Sequence, residues 1–408
     1  MDENILDPGL YASGKGPPHE LFDKWRAEDG LHWNPPNPDY VPKMPFASMK
    51  KGFYVLTRYQ DVYEVSRDQS RFSSFDEGFV IWDQEGPGLE NLRANFMGMR
   101  PADHSEVKRV ITPPFSPRAM LEIEPKVEAL AEEIVDRMCE TDGCEFVFDV
   151  ASRLPVYTFC ELVGVPEQYR DRVVEHGNAI ADVETRDQHS MDPAEGLAAI
   201  SIELTEKYRQ KPDGSLMSSI VNDAELALDQ HQINMFFQVF AIAGHETTRS
   251  TAAHFINLMN QHPDQYELLK SDIDQYLGNA IEEVLRYTST TTNFRRTATT
   301  DTEIGGYQVK QGDKIYLSYA AANRDPTVFT DPHIFDISRE NARKHLAFGT
   351  GPHVCTGARL ARLQLKALLK QIVSRLPDIR VVGEPEWLRS IWFNAIVSMP
   401  VSYRSTGA

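Results

Sequence analysis

Phe348-Gly349-Thr350-Gly351-Pro352-His353-Val354-Cys355-Thr356-Gly357 is the densest signal in the 408-residue sequence, and it runs straight into an amphipathic helical pattern from Ala358 to Leu376. A cysteine in a glycine-rich loop at a helix start faces the positive end of the helix dipole and free backbone N–H groups, both of which favour thiolate. The glycines allow tight turns and close approach to a flat cofactor, and N–H donors near sulfur tune its basicity. A bare cysteine before a helix is usually structural. The ten-residue pattern around this one reads instead as a thiolate ligand loop.

Upstream, Ala243-Gly244-His245-Glu246-Thr247-Thr248 sits inside a pattern from Asp229 to His262 that is apolar on almost every side. Asp229 can cap a helix there and Pro263 stops it. About 32 residues would run roughly 48 Å, long enough to cross the molecule, and apolarity all round marks a central helix. Glycine in mid-helix costs roughly 1 kcal/mol against alanine, and a threonine hydroxyl can bond back to the carbonyl four residues earlier. The segment therefore predicts a local distortion, a widened turn with room for a diatomic ligand. An acid beside an alcohol can deliver protons to such a ligand.

The cysteine loop closely resembles the haem-ligand loop of the cytochrome P450 family, and Ala243–Thr248 resembles that family's oxygen-activation segment. The resemblance runs from about Phe53 to Val401, with the motifs in the family's order. It implies a mainly α haem-thiolate fold with a small β-rich region, haem b as cofactor and Cys355 as the iron ligand. Phe348 would shield the sulfur and His353 would bond a haem propionate, with Gly349, Gly357 and Ala243 against the cofactor. Glu246 and Thr247 become the catalytic pair, Thr247 holding activated oxygen and Glu246 relaying protons; many relatives carry Asp at Glu246.

Other motifs take meaning from the same resemblance. Glu283 and Arg286, spaced i, i+3 on one helix face, match the family's structural Glu-x-x-Arg pair, with Arg339 as its third member. Ala322-Asn323-Arg324-Asp325-Pro326 matches the segment before the ligand loop. Arg296 falls where a propionate-binding arginine is expected, and a guanidinium suits a carboxylate; Arg295 beside it is the alternative. His104 resembles a further propionate ligand. Relatives usually have Asp where this chain has Arg100 and Arg where it has Lys108, so either Lys108 or Arg109 fills the usual arginine role.

The implied reaction inserts one oxygen atom of O2 into a C–H bond or across a C=C bond. Expected pocket residues are Phe79 to Trp82, Val239, Ile242, Ala243, Thr291, Thr292, Phe294, Trp392 and Phe393, mostly apolar or aromatic. They point to a hydrophobic substrate. The ending Leu388–Asn394 resembles bacterial members that oxidise steroids, branched lipids and terpenoids. A haem-thiolate peroxygenase or a non-catalytic haem sensor is the alternative, and Glu246-Thr247 counts against both. With no flavin or iron–sulfur motif, electrons are expected from a ferredoxin with its ferredoxin reductase. Arg343, Lys344, Arg359 and Arg362, joined by Arg71, Lys108 and Arg109, would form a basic docking patch.

The rest of the chain sets the bounds. A 41% hydrophobic composition supports a large core, read as one domain over 1–408 with a flexible segment up to Pro18. No apolar run resembles a signal peptide or membrane anchor, so a cytoplasmic monomer is expected. Four cysteines make no disulfide framework, and Cys139 and Cys144 read as apolar fillers. A net charge of −18 argues against a general nucleic-acid binder. The coarse pattern gives a Pro-rich loop at Pro35–Pro45, a strand at Phe53–Thr57, a helix opening near Asp61, an all-helical middle from Met120 to Arg209, and a helix at Ile273–Tyr287. A small sheet with a Gly305-Gly306 turn follows, and then strand and loop from Ile379 to Tyr403.

Overall fold

The computed structural model describes residues 3–11, 16–37, 46–181 and 193–404. Its contacts group into two compact units, each assembled from separated stretches of chain. The first holds Met1–Pro101, Glu282–Cys355 and Trp387–Ala395; the second holds Ala102–Ile281, Thr356–Glu386 and Ile396–Ala408.

The first unit is built on a five-stranded sheet ordered His32–Asn34, Phe53–Leu56, Lys314–Ser318, Asn293–Ala298 and Phe72–Ser73. Lys314–Ser318 runs parallel to Phe53–Leu56 and antiparallel to Asn293–Ala298, with Lys314 opposite Thr297 and Tyr316 opposite Arg295. Side chains alternate faces along a strand. Arg295, Thr297, Lys314 and Tyr316 therefore share one face, while Phe294, Arg296, Ile315 and Leu317 share the other. Two apolar clusters divide accordingly, one around Phe53, Val55 and Tyr316 and one around Leu56, Ile315 and Leu317. The hairpin Thr302–Ile304 with Tyr307–Val309 turns on Gly305 and Gly306, both at positive φ (56° and 89°), the conformation a two-residue turn of this kind requires.

Against the expected flexibility of the N-terminal segment, Ile5, Leu6 and Tyr11 are buried in the first of these clusters. The Ile5 N–H donates to Asn34 Oδ1 at 2.9 Å. Residues 38–45 of the expected Pro-rich loop lie outside the described residues.

The second unit is helical around Gln230–Gln261, a 32-residue helix. A capping box starts it: Asp229 Oδ1 accepts from the Gln232 N–H at 2.8 Å and Gln232 Oε1 from the Asp229 N–H at 3.1 Å. Pro193–Gln210, Arg153–Val163 and Arg170–Ala181 pack on it, and Pro117–Cys139 packs on Ala358–Arg375. Two expectations need correction. Pro263 ends the long helix but also opens another, Pro263–Ser271, as its first residue, because proline lacks only an N–H that a helix start leaves unbonded anyway. The middle is not all helix: Gly143–Glu145 is a strand paired with Pro400–Ser402, a partner about 250 residues away that no local pattern signals. Among the described residues no helix is long and apolar enough to cross a membrane.

Candidate functional site

The ligand loop in the first unit is shaped by its backbone. The Cys355 N–H donates to Phe348 O at 2.8 Å, Gly349 N–H to Leu346 O at 2.8 Å, and Val354 N–H to Gly351 O at 3.1 Å. Gly351 lies at φ 72°, and a Cβ there would sit 2.9 Å from both Arg67 Cα and Ser66 O, so conformation and space both demand glycine. The Cys355 side chain is left exposed, three residues before the helix Ala358–Arg375, for which Gly357 is the N-cap.

Behind the loop stands a framework that sequence reasoning caught only in part. Asn323 Oδ1 accepts the Leu346 N–H at 2.6 Å, and its amide donates to Ser289 Oγ at 2.9 Å. His345, buried, takes the Ala347 N–H on Nδ1 at 3.1 Å, so its Nε2 carries the proton that meets Glu282 Oε2 at 3.1 Å. No role had been read for His345 or Glu282. The Glu283–Arg286 pair is fully buried and bidentate, at 2.7 and 2.8 Å. Arg339 Nε adds a bond to Glu283 at 3.1 Å, and both arginines go on to backbone carbonyls, Arg286 to Asn323 and Pro332, Arg339 to Thr330 and Ile334. A buried ion pair is tolerated only when such bonds satisfy it.

The two adjacent arginines part company because successive strand residues face opposite ways. Arg295 pairs with Glu77 and, at 3.2 Å, with Asp83. Arg296 is equally buried, yet its guanidinium bonds only to Arg295 O at 2.8 Å, with no carboxylate among the described residues. Burial holds its pKa below the ordinary arginine value. His353 Nε2 lies 2.8 Å from Gln69 Nε2 and 3.3 Å from Ser74 Oγ. Of the expected pocket residues in this unit, Trp82, Phe294, Trp392 and Phe393 form one aromatic group with Phe79, ring centroids 4.8 to 6.2 Å apart. Thr291 bridges to Phe393 through backbone, and Thr292 Oγ1 donates to Ile391 O.

In the second unit the long helix carries Val239, Ile242, Ala243, Glu246 and Thr247. It stays α-helical throughout, so the expected widened turn does not form. The expected hydroxyl bond does form: Thr247 Oγ1 donates to Ala243 O at 2.8 Å. Ala243 and Gly244 are exposed on an otherwise largely buried stretch, and nothing lies within 4 Å of where a Gly244 Cβ would be. Glu246 is buried, ion-paired to Arg249, and accepts from Ser250 Oγ at 2.9 Å. Burial alone would raise its carboxyl; Arg249 above all, then His245 and Ser250, outweigh that and hold it below the ordinary range. Arg249 and Ser250 were missed, although their i+3 and i+4 spacing from Glu246 was readable. Burial, then Arg249, lowers His245 to about 4, so it is neutral at pH 7.

Helix Pro101–Ile111 buries His104, and Lys108, four residues on, shares its face half-buried. Arg109 points elsewhere and is ringed by Glu106 (3.5 Å), Asp223 (3.4 Å) and Glu225 (3.0 Å).

Comparison with known proteins decides the family. A steroid C26-monooxygenase of Mycolicibacterium smegmatis is 31% identical over 400 residues, covering 96% of this chain and 91% of that protein. The chain belongs to the cytochrome P450 family. The family model "Cytochrome P450" matches residues 185–377, and a linalool 8-monooxygenase of Pseudomonas putida is 30% identical over 98% of this chain and 97% of that protein. A solved Mycobacterium marinum cytochrome P450 in complex with pseudoionone superposes with a TM-score of 0.89 at 31% identity, covering 98% of this chain and 99% of that one. This protein is thus a P450 monooxygenase with haem as cofactor. Its residues fit that group: an exposed thiol at a glycine-shaped helix start has the chemistry of an iron ligand, and buried Arg296, with no carboxylate partner among the described residues, is a cation suited to a propionate.

Proposed function

We propose that this P450 oxygenates a hydrophobic molecule of terpenoid to steroid size, using electrons from a ferredoxin and its reductase. The observation that carries the reading is the aromatic group of Phe79, Trp82, Phe294, Trp392 and Phe393, which offers apolar area and few polar handles. The relatives named for steroids and linalool, and the neighbour solved in complex with pseudoionone, support the same size range.

In this reading Cys355 would hold the haem iron as a thiolate, shielded by Phe348. Arg296, His353, His104 and Lys108 hold the propionates. Arg296 is favoured over Arg295, which already has two carboxylates, and Lys108 over Arg109 because it lies half-buried one turn from His104 on the same helix face. Bound haem supplies activation of O2 and transfer of one oxygen atom to substrate, the other leaving as water with two electrons and two protons. Thr247 would hold a proton at its hydroxyl, and Glu246 would relay protons toward Thr247 once a carboxylate oxygen leaves Arg249. The aromatic wall orients the substrate and excludes water.

A screen of terpenoids and steroids by Soret shift, followed by turnover with ferredoxin, reductase and NADH or with hydrogen peroxide alone, tests the proposal. Product only in the reconstituted electron-transfer mixture is expected. Product of equal yield with peroxide alone would make it a peroxygenase, and ligand binding without product in either would make it a sensor.

A further inference from the structure

The aromatic wall begins in a short segment, Glu77–Asp83, and the first unit holds that segment at both ends with buried cations. Arg295 pairs with Glu77 and Asp83. Lys314, fully buried, meets Asp83 Oδ1 at 2.6 Å. The same two residues also bind the segment's backbone: the Arg295 N–H donates to Phe79 O at 2.8 Å and Lys314 Nζ to Ile81 O at 3.1 Å. From outside, Lys51 pairs with Glu77 at 3.1 Å, and the Lys50 and Lys51 N–H groups donate to Asp83 Oδ2 at 2.9 and 3.2 Å. Between the anchors Phe79, Val80, Ile81 and Trp82 are all buried.

Strand register explains how two cations reach one carboxylate. Arg295 and Lys314 lie on adjacent strands and on the same sheet face, Lys314 opposite Thr297 and Arg295 two residues before it. Two cations buried together are costly unless each finds an anion and carbonyls. A sheet that needed only packing at these positions would carry apolar residues. The pair therefore serves placement of the segment it grips.

We propose that Arg295 and Lys314 clamp Glu77–Asp83 into a preformed, rigid wall, and that they are specificity-determining positioning residues which select substrates by fit to that wall. The proposal rests on the reading that this aromatic group contacts substrate. A clamped wall cannot open to admit a bulkier molecule, so affinity should fall sharply with misfit, whereas a mobile wall would tolerate a range of sizes.

The test uses haem-replete parent, Lys314→Met, Asp83→Asn and, should the first two fold poorly, Glu77→Gln at the half-buried end of the cluster. Hydrogen exchange over residues 77–84 and Soret-shift dissociation constants for linalool, pseudoionone and cholest-4-en-3-one are measured for each. Exchange about tenfold faster in the variants, with the spread among the three constants narrowed by a similar factor, is expected. Unchanged exchange would overturn the clamp. Faster exchange with an unchanged spread would overturn its role in specificity. If none of the three ligands shifts the parent's Soret band, the substrate reading falls instead, and the exchange rates still decide the clamp.

Discussion

The loop ending at Cys355 and the middle of the long helix treat their reactive groups in opposite ways. The loop leaves a thiol exposed and shapes the chain around it through backbone, with glycines and N–H bonds to Leu346, Phe348 and Gly351. The helix buries a carboxylate and fixes it by side chains, Arg249 and Ser250. A group held by backbone is placed for good, as a permanent metal ligand must be. A group held by side chains can be let go, as a proton carrier must be. Mutations in the two regions should therefore fail differently.

The largest effect belongs to the loop. Cys355→Ser should abolish thiolate ligation outright, since a hydroxyl supplies no anionic sulfur to iron. The reduced carbon monoxide complex would lose its red-shifted Soret band, and a variant that kept the band would refute the ligand assignment. In the helix, Thr247→Ala should leave that band and substrate binding intact. Product formed per NADH should drop roughly 100-fold as peroxide escapes, the lower end of the range for loss of a positioned proton-transfer group. Unchanged coupling, measured as product against NADH consumed, would remove Thr247 from the relay.

Next in size is a contrast inside the first unit, between Arg295 and Arg296. Arg296→Gln should weaken haem retention about 10- to 100-fold, the loss of a charge-assisted hydrogen bond of about 1.5–3 kcal/mol, with little change in the stability of the haem-free protein. Arg295→Gln should do the reverse: it takes one cation from Glu77 and Asp83, which keep Lys51 and Lys314, so folding stability should fall, by less than the about 3–5 kcal/mol lost when a buried ion is left with no partner, with haem affinity nearly unchanged. Haem-transfer kinetics and urea unfolding separate the two, and equal behaviour would mean both arginines serve the same carboxylates.

What could be read in the sequence follows the same divide. The Asp229 cap, the Gly305-Gly306 turn and the Thr247 hydroxyl bond were legible because each is settled within four residues of chain. Glu283, Arg286 and Arg339 were legible only through the order of the family's motifs, since an i, i+3 pair alone says nothing of burial. The strand at Gly143–Glu145, the grip of Lys314 on Asp83 and the choice between Arg295 and Arg296 depend on partners far along the chain. The last was within reach, because alternation along Asn293–Ala298 forces the two arginines apart once a strand is assigned there. The widened turn at Gly244 failed for another reason: a threonine hydroxyl can take the Ala243 carbonyl as a second acceptor contact without breaking the helix.

The smallest expected effect concerns electron delivery, for which the expected basic residues differ in their surroundings. Arg109 is surrounded by Glu106, Asp223 and Glu225, and Arg71 pairs with Asp68 at 2.5 Å, so both project little net positive field. Arg343, Lys344 and Arg359 are exposed, and Arg359 follows Cys355 by one helical turn of sequence. An acidic ferredoxin is steered by uncompensated charge, and surface charges act mainly on the rate of association. Reversing Arg343 or Arg359 to Glu should therefore slow ferredoxin-driven reduction several-fold at low ionic strength, the difference fading as salt screens it beyond roughly 10 Å. Arg109→Glu should change that rate little, although its carboxylate neighbours would then repel. Stopped-flow reduction by ferredoxin, with dithionite as the control that bypasses docking, reads both. A larger effect from Arg109 than from Arg359 would place the partner on the helix Pro101–Ile111 instead.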